Sequence, residues 1–189
     1  MVSARRIAEV LDTDPSIKYR DKECSTAEKG TVEFKNVSFT YPDAEYPCIE
    51  NISFKINQGE TFAIIGATGS GKTSIINLIP RFYDASGGEV LIDGVNVKDY
   101  PEKQLEKKIS VAPQKAILFR GDLKANITYG SEKEIADDDA DLLRAIDISG
   151  SGFISELENG VRSRVAQGGT NFSGGQKQRI SIARAVGPM

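Results

Sequence analysis

One stretch of this sequence constrains the fold more than any other: GATGSGKT at residues 66–73. It follows Thr61, Phe62, Ala63, Ile64 and Ile65, a run short, apolar and β-branched enough to predict a buried strand. It precedes SIINLI, which reads as the start of a helix. Strand, glycine loop and helix form the context in which a phosphate-binding loop works. Gly66, Gly69 and Gly71 are expected to take positive φ, so that successive N–H groups turn inward as an anion nest at a helix N-terminus. Lys72 then supplies a mobile charge for the β- and γ-phosphates, and the Thr73 hydroxyl is placed for Mg²⁺. These residues specify a nucleoside triphosphate and leave the reaction open.

With 189 residues, 39% of them hydrophobic and 27% charged, the chain has material for one ordinary core and an attached segment. No run approaches the roughly 18 apolar residues of a membrane-crossing helix. A net charge of −3 argues against nucleic acid or an anionic membrane surface as a partner, because both demand clustered Lys and Arg. Cys24 and Cys48 lack metal-ligand spacing, and the chain has no His, which argues against zinc and removes the usual general base. Two cysteines are too few for a disulfide framework, so a reducing compartment is expected.

In chain order, residues 3–11 predict an amphipathic helix with Ile7, Val10 and Leu11 on one face, and the polar residues 16–30 a linker. TVEFKNVSFTY at 31–41 alternates, then changes face between Phe34 and Val37, which predicts a strand with a bulge or bend. Ile52, Phe54 and Ile56 mark a second strand, EVLID at 89–93 a third, and ISVA at 109–112 a short buried one. Helices are expected over 101–108, 123–127, 135–146 and 153–157. The acidic run Asp137, Asp138, Asp139 and Asp141 reads as a solvated first helical turn rather than a metal site. In GGTNFSGGQKQRISIAR at 168–184, Ser173 is a good N-cap for a helix carrying Ile180, Ile182 and Ala183. Gly174 and Gly175 either open that N-terminus to a ligand or simply make a flexible capping turn.

FSGGQ at 172–176 resembles the signature motif of ATP-binding-cassette (ABC) nucleotide-binding domains, and KQRISIARA is similar to the helix that goes with it. GATGSGKT matches that family's Walker A pattern, SVAPQ resembles its Q-loop segment with Gln114 in the glutamine position, and Tyr41 in SFTYP occupies the place of its adenine-stacking aromatic. The resemblance runs from about Gly30 to Val186. LIPRFYD, Asn126 with Ile127, and SARRIAEVLDTDPSI are similar to half-transporters that export lipids or drugs. QGGTNFSGGQ is similar to one subunit of heterodimeric bacterial multidrug exporters, with Gln167 where many exporters carry Glu.

The resemblance implies an α/β fold: a P-loop NTPase core with an antiparallel β subdomain and an inserted helical subdomain, incomplete at the C-terminus. Residues 1–29 would link to a transmembrane domain, 30–113 form the ATP-binding core, 114–172 the Q-loop and helical subdomain, and 173–189 the signature motif and its helix. It implies ATP and Mg²⁺ as cofactors. Tyr41, Gly66, Ala67, Thr68, Gly69, Ser70, Gly71, Lys72, Thr73 and Ser74 would hold one nucleotide. Thr73 and Gln114 would ligate Mg²⁺, Lys72 and Gln114 would serve catalysis, and Ser173, Gly174, Gly175 and Gln176 would reach a nucleotide on a second cassette packed head to tail. VLID at 90–93 imitates a Walker B strand, but it precedes the Q-loop and Gly94 follows it, so it is excluded as the Mg²⁺ site.

The sequence reaches Met189 before the Walker B strand and His-bearing loop of the family. The resemblance therefore implies a piece of a longer protein that binds ATP without hydrolysing it, with Ile64, Ile65 and the signature helix left exposed. The longer protein would be an export ATPase at the cytoplasmic face of the cell membrane. The alternative is a degenerate-site subunit of a heterodimer that hydrolyses weakly.

Overall fold

The computed structural model describes residues 2–26, 28–131 and 133–187, in two compact units, Met1–Ile109 and Ser110–Met189. In the first unit the alternating pattern produces strand β1 (Val32–Phe39) and its antiparallel partner β2 (Ile49–Ile56). Phe34 sits opposite Phe54 and Val37 opposite Ile52, and the register slips between these two pairs. Asn36, with φ of 48°, absorbs the slip. The bulge is the one expected from the change of face, and it lets Phe34, Val37 and Phe39 all enter the core. Strands β3 (Gly87–Ile92) and β4 (Val95–Asn96) complete an antiparallel sheet of order β2-β1-β3-β4.

The unit also contains helices α1 (Val2–Leu11), α2 (Lys72–Leu78) and α3 (Glu102–Glu106). A seven-residue helix such as α2 is too short to be stable by itself. Ile75 and Leu78 anchor it by burial against Phe39, Ile49, Val90 and the rest of the sheet core. That packing fixes where the glycine loop ends and the helix begins.

Residues 16–26 are polar, yet they are fastened to this unit. Arg81 is buried and bonds Asp84 Oδ1 at 2.8 Å and the Lys18 carbonyl oxygen at 3.2 Å, with its guanidinium 4.8 Å from the centre of the Tyr19 ring. The Gln104 amide accepts from Cys24 N at 3.0 Å and donates to the Cys24 carbonyl at 2.8 Å. By contrast Ile7, Val10 and Leu11 of α1 remain exposed.

Two predicted buried strands are corrected. Residues 61–65 and 109–112 form no strand among the described residues, and Ile65 is 94% exposed. Both segments have strand-like composition, but a strand is defined by the neighbour it bonds, and composition does not supply one. Phe62 is nonetheless placed, stacking on Phe54 at 4.8 Å.

The second unit is mainly helical, with α4 (Leu123–Ile127), α5 (Ala140–Ile148) and α6 (Gly174–Val186), and a two-stranded ribbon of β5 (Gly121–Asp122) and β6 (Arg164–Val165). Its core joins Leu123 and Ile127 to Leu142, Ala145, Ile154, Val165, Ile180 and Ala183. Exposure of the signature helix is thus corrected at Ile180 and Ala183, which this unit buries by itself. The helix predicted over 135–146 begins five residues later, because the Asp139 side chain accepts from Asp141 N and Leu142 N as an N-cap. The predicted helix over 153–157 is a 3-10 turn, Gly152–Glu156.

Candidate functional site

At the end of β1 the chain turns, and Cys48 N donates to the Phe39 carbonyl at 2.9 Å to start β2. This hairpin end and the glycine loop face each other across a cavity of about 240 Å³. Tyr41, Cys48, Gly69, Ser70, Gly71, Lys72, Thr73 and Ser74 line it, so the structure gathers most of the predicted nucleotide residues of this unit at one place. Cys48 is the wall residue that sequence reasoning missed. It reaches the site through strand pairing, for which the sequence gives no local signal.

The loop shape follows from its residues. Gly69 and Gly71 take φ of 84° and 82°, and a Cβ on Gly71 would meet the Cys48 carbonyl oxygen at 2.7 Å. Gly66 departs from the expectation of positive φ; its constraint is steric, since a Cβ there would meet Ser70 Oγ at 2.6 Å. Ser70 N closes a turn onto the Ala67 carbonyl at 3.3 Å, with Thr68 exposed at the tip. Lys72 Nζ reaches back to the Gly66 carbonyl at 2.9 Å and to Ser70 Oγ at 3.3 Å. The ammonium is therefore held inside the curl of the loop. No side chain caps α2, which leaves its first-turn donors available to an anion, and Thr73 is exposed beside them.

Tyr41 is the aromatic residue of the lining. Its ring meets Phe39 edge-on at 4.7 Å and Tyr83 at 5.1 Å, and its hydroxyl lies 2.9 Å from Ser74 Oγ.

In the second unit, Gln114 is exposed at a bend, and the preceding Pro113 carbonyl accepts from Gln178 Nε2 of α6 at 3.3 Å. Ser173 caps α6 as predicted. Gln176 N donates to Ser173 Oγ at 3.3 Å, and Ser173 N donates to Gln176 Oε1 at 2.9 Å, a reciprocal capping box. Ser173, Gly174 and Gly175 are all exposed, and a Cβ on Gly174 would meet nothing within 4 Å. The base of this helix is fixed through Asn126, whose amide donates to the Phe119 and Asp122 carbonyls at 2.8 and 2.9 Å while accepting from Arg184 at 3.0 Å.

Two carboxylates outside these turns, Asp93 and Asp137, have structural partners. Burial would raise the pKa of Asp93, but hydrogen bonds from Lys108 and from Thr31 N, with the Lys108 charge, outweigh it and hold the carboxyl below its ordinary value. Asp137 bonds Arg162 and Lys124 at 2.7 and 2.8 Å, and those bonds push its pKa down to about 2. Among the described residues no group of carboxylates, His or Cys is arranged to hold a metal ion.

The family described as "ABC transporter" matches residues 49–187. An uncharacterised ABC transporter ATP-binding protein of Mycobacterium tuberculosis is 40% identical over 188 residues, 98% of this chain and 32% of that protein. An ATP-dependent lipid A-core flippase of Mannheimia succiniciproducens is also 40% identical over 188 residues, with the same coverage. Among solved structures, a bacterial Atm1-family ABC exporter with ATP bound superposes with a TM-score of 0.85 at 29% identity, over 98% of this chain and 32% of that one. The chain thus spans about a third of the length of the relatives it matches. The mixed α/β fold with its antiparallel sheet is that of an ABC nucleotide-binding domain, without its full length, and the chain belongs to the ABC transporter family.

Proposed function

We propose that this chain is the nucleotide-binding part of an ABC exporter, which binds Mg-ATP and couples its hydrolysis, in the longer protein, to transport across a membrane. The observation that carries the proposal is the cavity between the hairpin end and the glycine loop, whose lining combines an aromatic ring with an ammonium and a helix N-terminus. A nucleotide has the matching parts, a flat base and an anionic tail.

In this reading Tyr41 stacks on the base. Loop amides of residues 66–72 and the Lys72 ammonium hold the β- and γ-phosphates, in place of the loop carbonyls that Lys72 now bonds. The donor available in the first unit suits Mg²⁺: Thr73 offers a neutral oxygen, and this hard cation takes few protein ligands beside phosphate oxygens and water. Mg²⁺ would neutralise charge building on the phosphates. Gln114, on the segment of the second unit tied to α6 through Pro113 and Gln178, would be that unit's sensor of nucleotide. The exposed Ser173, Gly174 and Gly175, with the half-buried Gln176, would contact a nucleotide held by a second cassette, so that ATP joins the two. A transmembrane domain of the same transporter is the other partner, which puts the site at the cytoplasmic face of the membrane. No helix among the described residues is long and apolar enough to cross a membrane.

The degenerate-site reading rests on the resemblance of QGGTNFSGGQ to one subunit of heterodimeric exporters, a run whose Gln167 stands in the 3-10 turn Gln167–Gly169. Single-turnover hydrolysis at each site of the assembled transporter separates the two readings.

The Lys72→Ala variant of the full-length protein is expected to bind a fluorescent ATP analogue about a hundredfold more weakly, since a charge-assisted contact to phosphate is lost. Unchanged affinity would overturn the assignment of the loop.

A further inference from the structure

We infer that the Tyr41 hydroxyl and Ser74 form a positioning pair that sets the base-facing wall of the nucleotide cavity against the phosphate loop. The inference rests on the nucleotide reading above and deepens it. Stacking on a base needs only an aromatic face, and phenylalanine supplies that as well as tyrosine does. The hydroxyl must be explained separately, and here it lies 2.9 Å from Ser74 Oγ.

Ser74 is a fixed anchor. It belongs to α2, is only 6% exposed, and is followed directly by the core residue Ile75. Tyr41, by contrast, lies just beyond the end of β1 on a turn whose next residues, from Pro42 to Pro47, are exposed. Phe39 and Tyr83 touch the Tyr41 ring edge-on, which leaves the ring free to rock about those contacts. The hydrogen bond is the contact that ties the ring to the element carrying Lys72 and Thr73. It therefore fixes the distance between the base and phosphate ends of the cavity. A ring held at that distance loses little freedom when a nucleotide binds, which raises affinity for ligands carrying both parts. A ligand with phosphates alone gains nothing from it.

That last difference gives the test. In the full-length protein, Tyr41→Phe and Ser74→Ala should each weaken ATP binding about threefold to tenfold, the range of one hydrogen bond. In Tyr41→Phe, affinity for inorganic tripolyphosphate should stay within about twofold of the parent. The double variant should be no weaker for ATP than either single one, because both remove the same bond. Ser74→Thr, which keeps a hydroxyl, should keep ATP affinity near that of the parent. Equal losses for ATP and tripolyphosphate in Tyr41→Phe would overturn the inference, and so would additive losses in the double variant. Unchanged ATP affinity in Tyr41→Phe would also overturn it. If Lys72→Ala keeps its affinity the nucleotide reading itself fails; if Lys72→Ala loses affinity and Tyr41→Phe does not, only the pairing fails.

Discussion

At Gly71 the backbone has φ of 82° and a Cβ would meet the Cys48 carbonyl oxygen at 2.7 Å, whereas at Gly174 the backbone is helical and a Cβ would meet nothing within 4 Å. Both positions lie in glycine turns that open helices, and on the page of sequence they invite the same explanation. The structure separates them. The phosphate-loop glycine is required by the chain's own packing, through a neighbouring strand end. The signature glycines are required by nothing within the described residues, although their helix is well capped by Ser173 and firmly seated through Asn126 and Arg184. A glycine in a helical first turn sacrifices helix stability, and here no internal contact offsets that cost. What approaches Gly174 and Gly175 must then come from outside the turn. This contrast supports the proposal that the second turn serves a nucleotide on another cassette.

The largest effect should come from Gly71→Ala. A left-handed alanine costs about 1–2 kcal/mol, and driving its Cβ into the Cys48 carbonyl adds about 1–2 more, so urea unfolding should show a loss of about 3 kcal/mol. ATP binding should disappear with it, because the displaced hairpin end carries the cavity wall. A variant that unfolds like the parent would break the comparison, since Gly71 would then be as free as Gly174.

How much of this was legible in the sequence depends on the range of the interaction. The glycine loop, the Ser173 cap with Gln176 three residues on, and the bulge at Asn36 are written in residues a few positions apart, and each was readable there. The segments 61–65 and 109–112 were misread because strand pairing depends on a neighbour that composition does not reveal. The hold of Arg81 on Tyr19 and of Gln104 on Cys24, across some 60 to 80 residues of sequence, is unreadable for the same reason. Cys48 belongs to the same class. VLID at 90–93 shows the opposite case, in which the sequence imitates a site and chain order excludes it. Asp93 then proves to be a structural carboxylate, bonded to Lys108 and Thr31 N at the end of β3.

A smaller effect tests that last distinction. Asp93→Asn should leave nucleotide affinity unchanged and cost about 1 kcal/mol at neutral pH, the scale of a partly buried charge-assisted bond. The folded carboxyl has its pKa lowered, so it contributes stability above the unfolded value near 4 and loses it as pH falls through the lower, folded value. Unfolding curves of parent and variant should therefore differ by a constant amount above about pH 5 and converge in stronger acid. A gap that persists at low pH would assign the loss to packing, and a fall in ATP affinity would draw Asp93 into the site.

The smallest change in stability should carry the most information. Alanine at position 175 needs no positive φ, and its Cβ would come no closer than 4.0 Å to Arg179, so Gly175→Ala should stabilise α6 by about 0.5 kcal/mol through helix propensity. The phosphate loop is untouched, so ATP affinity of the isolated site should not move. If the glycine is kept for close approach to a nucleotide on a second cassette, the added methyl occupies that approach, and ATP-driven association of the full-length protein should weaken at least tenfold by sedimentation. Higher stability with lost association is the opposite of what Gly71→Ala should give, in which stability and binding fall together. Loss of stability in Gly175→Ala would mean that an internal constraint holds this turn too, and the two glycine turns would then differ in degree rather than in kind.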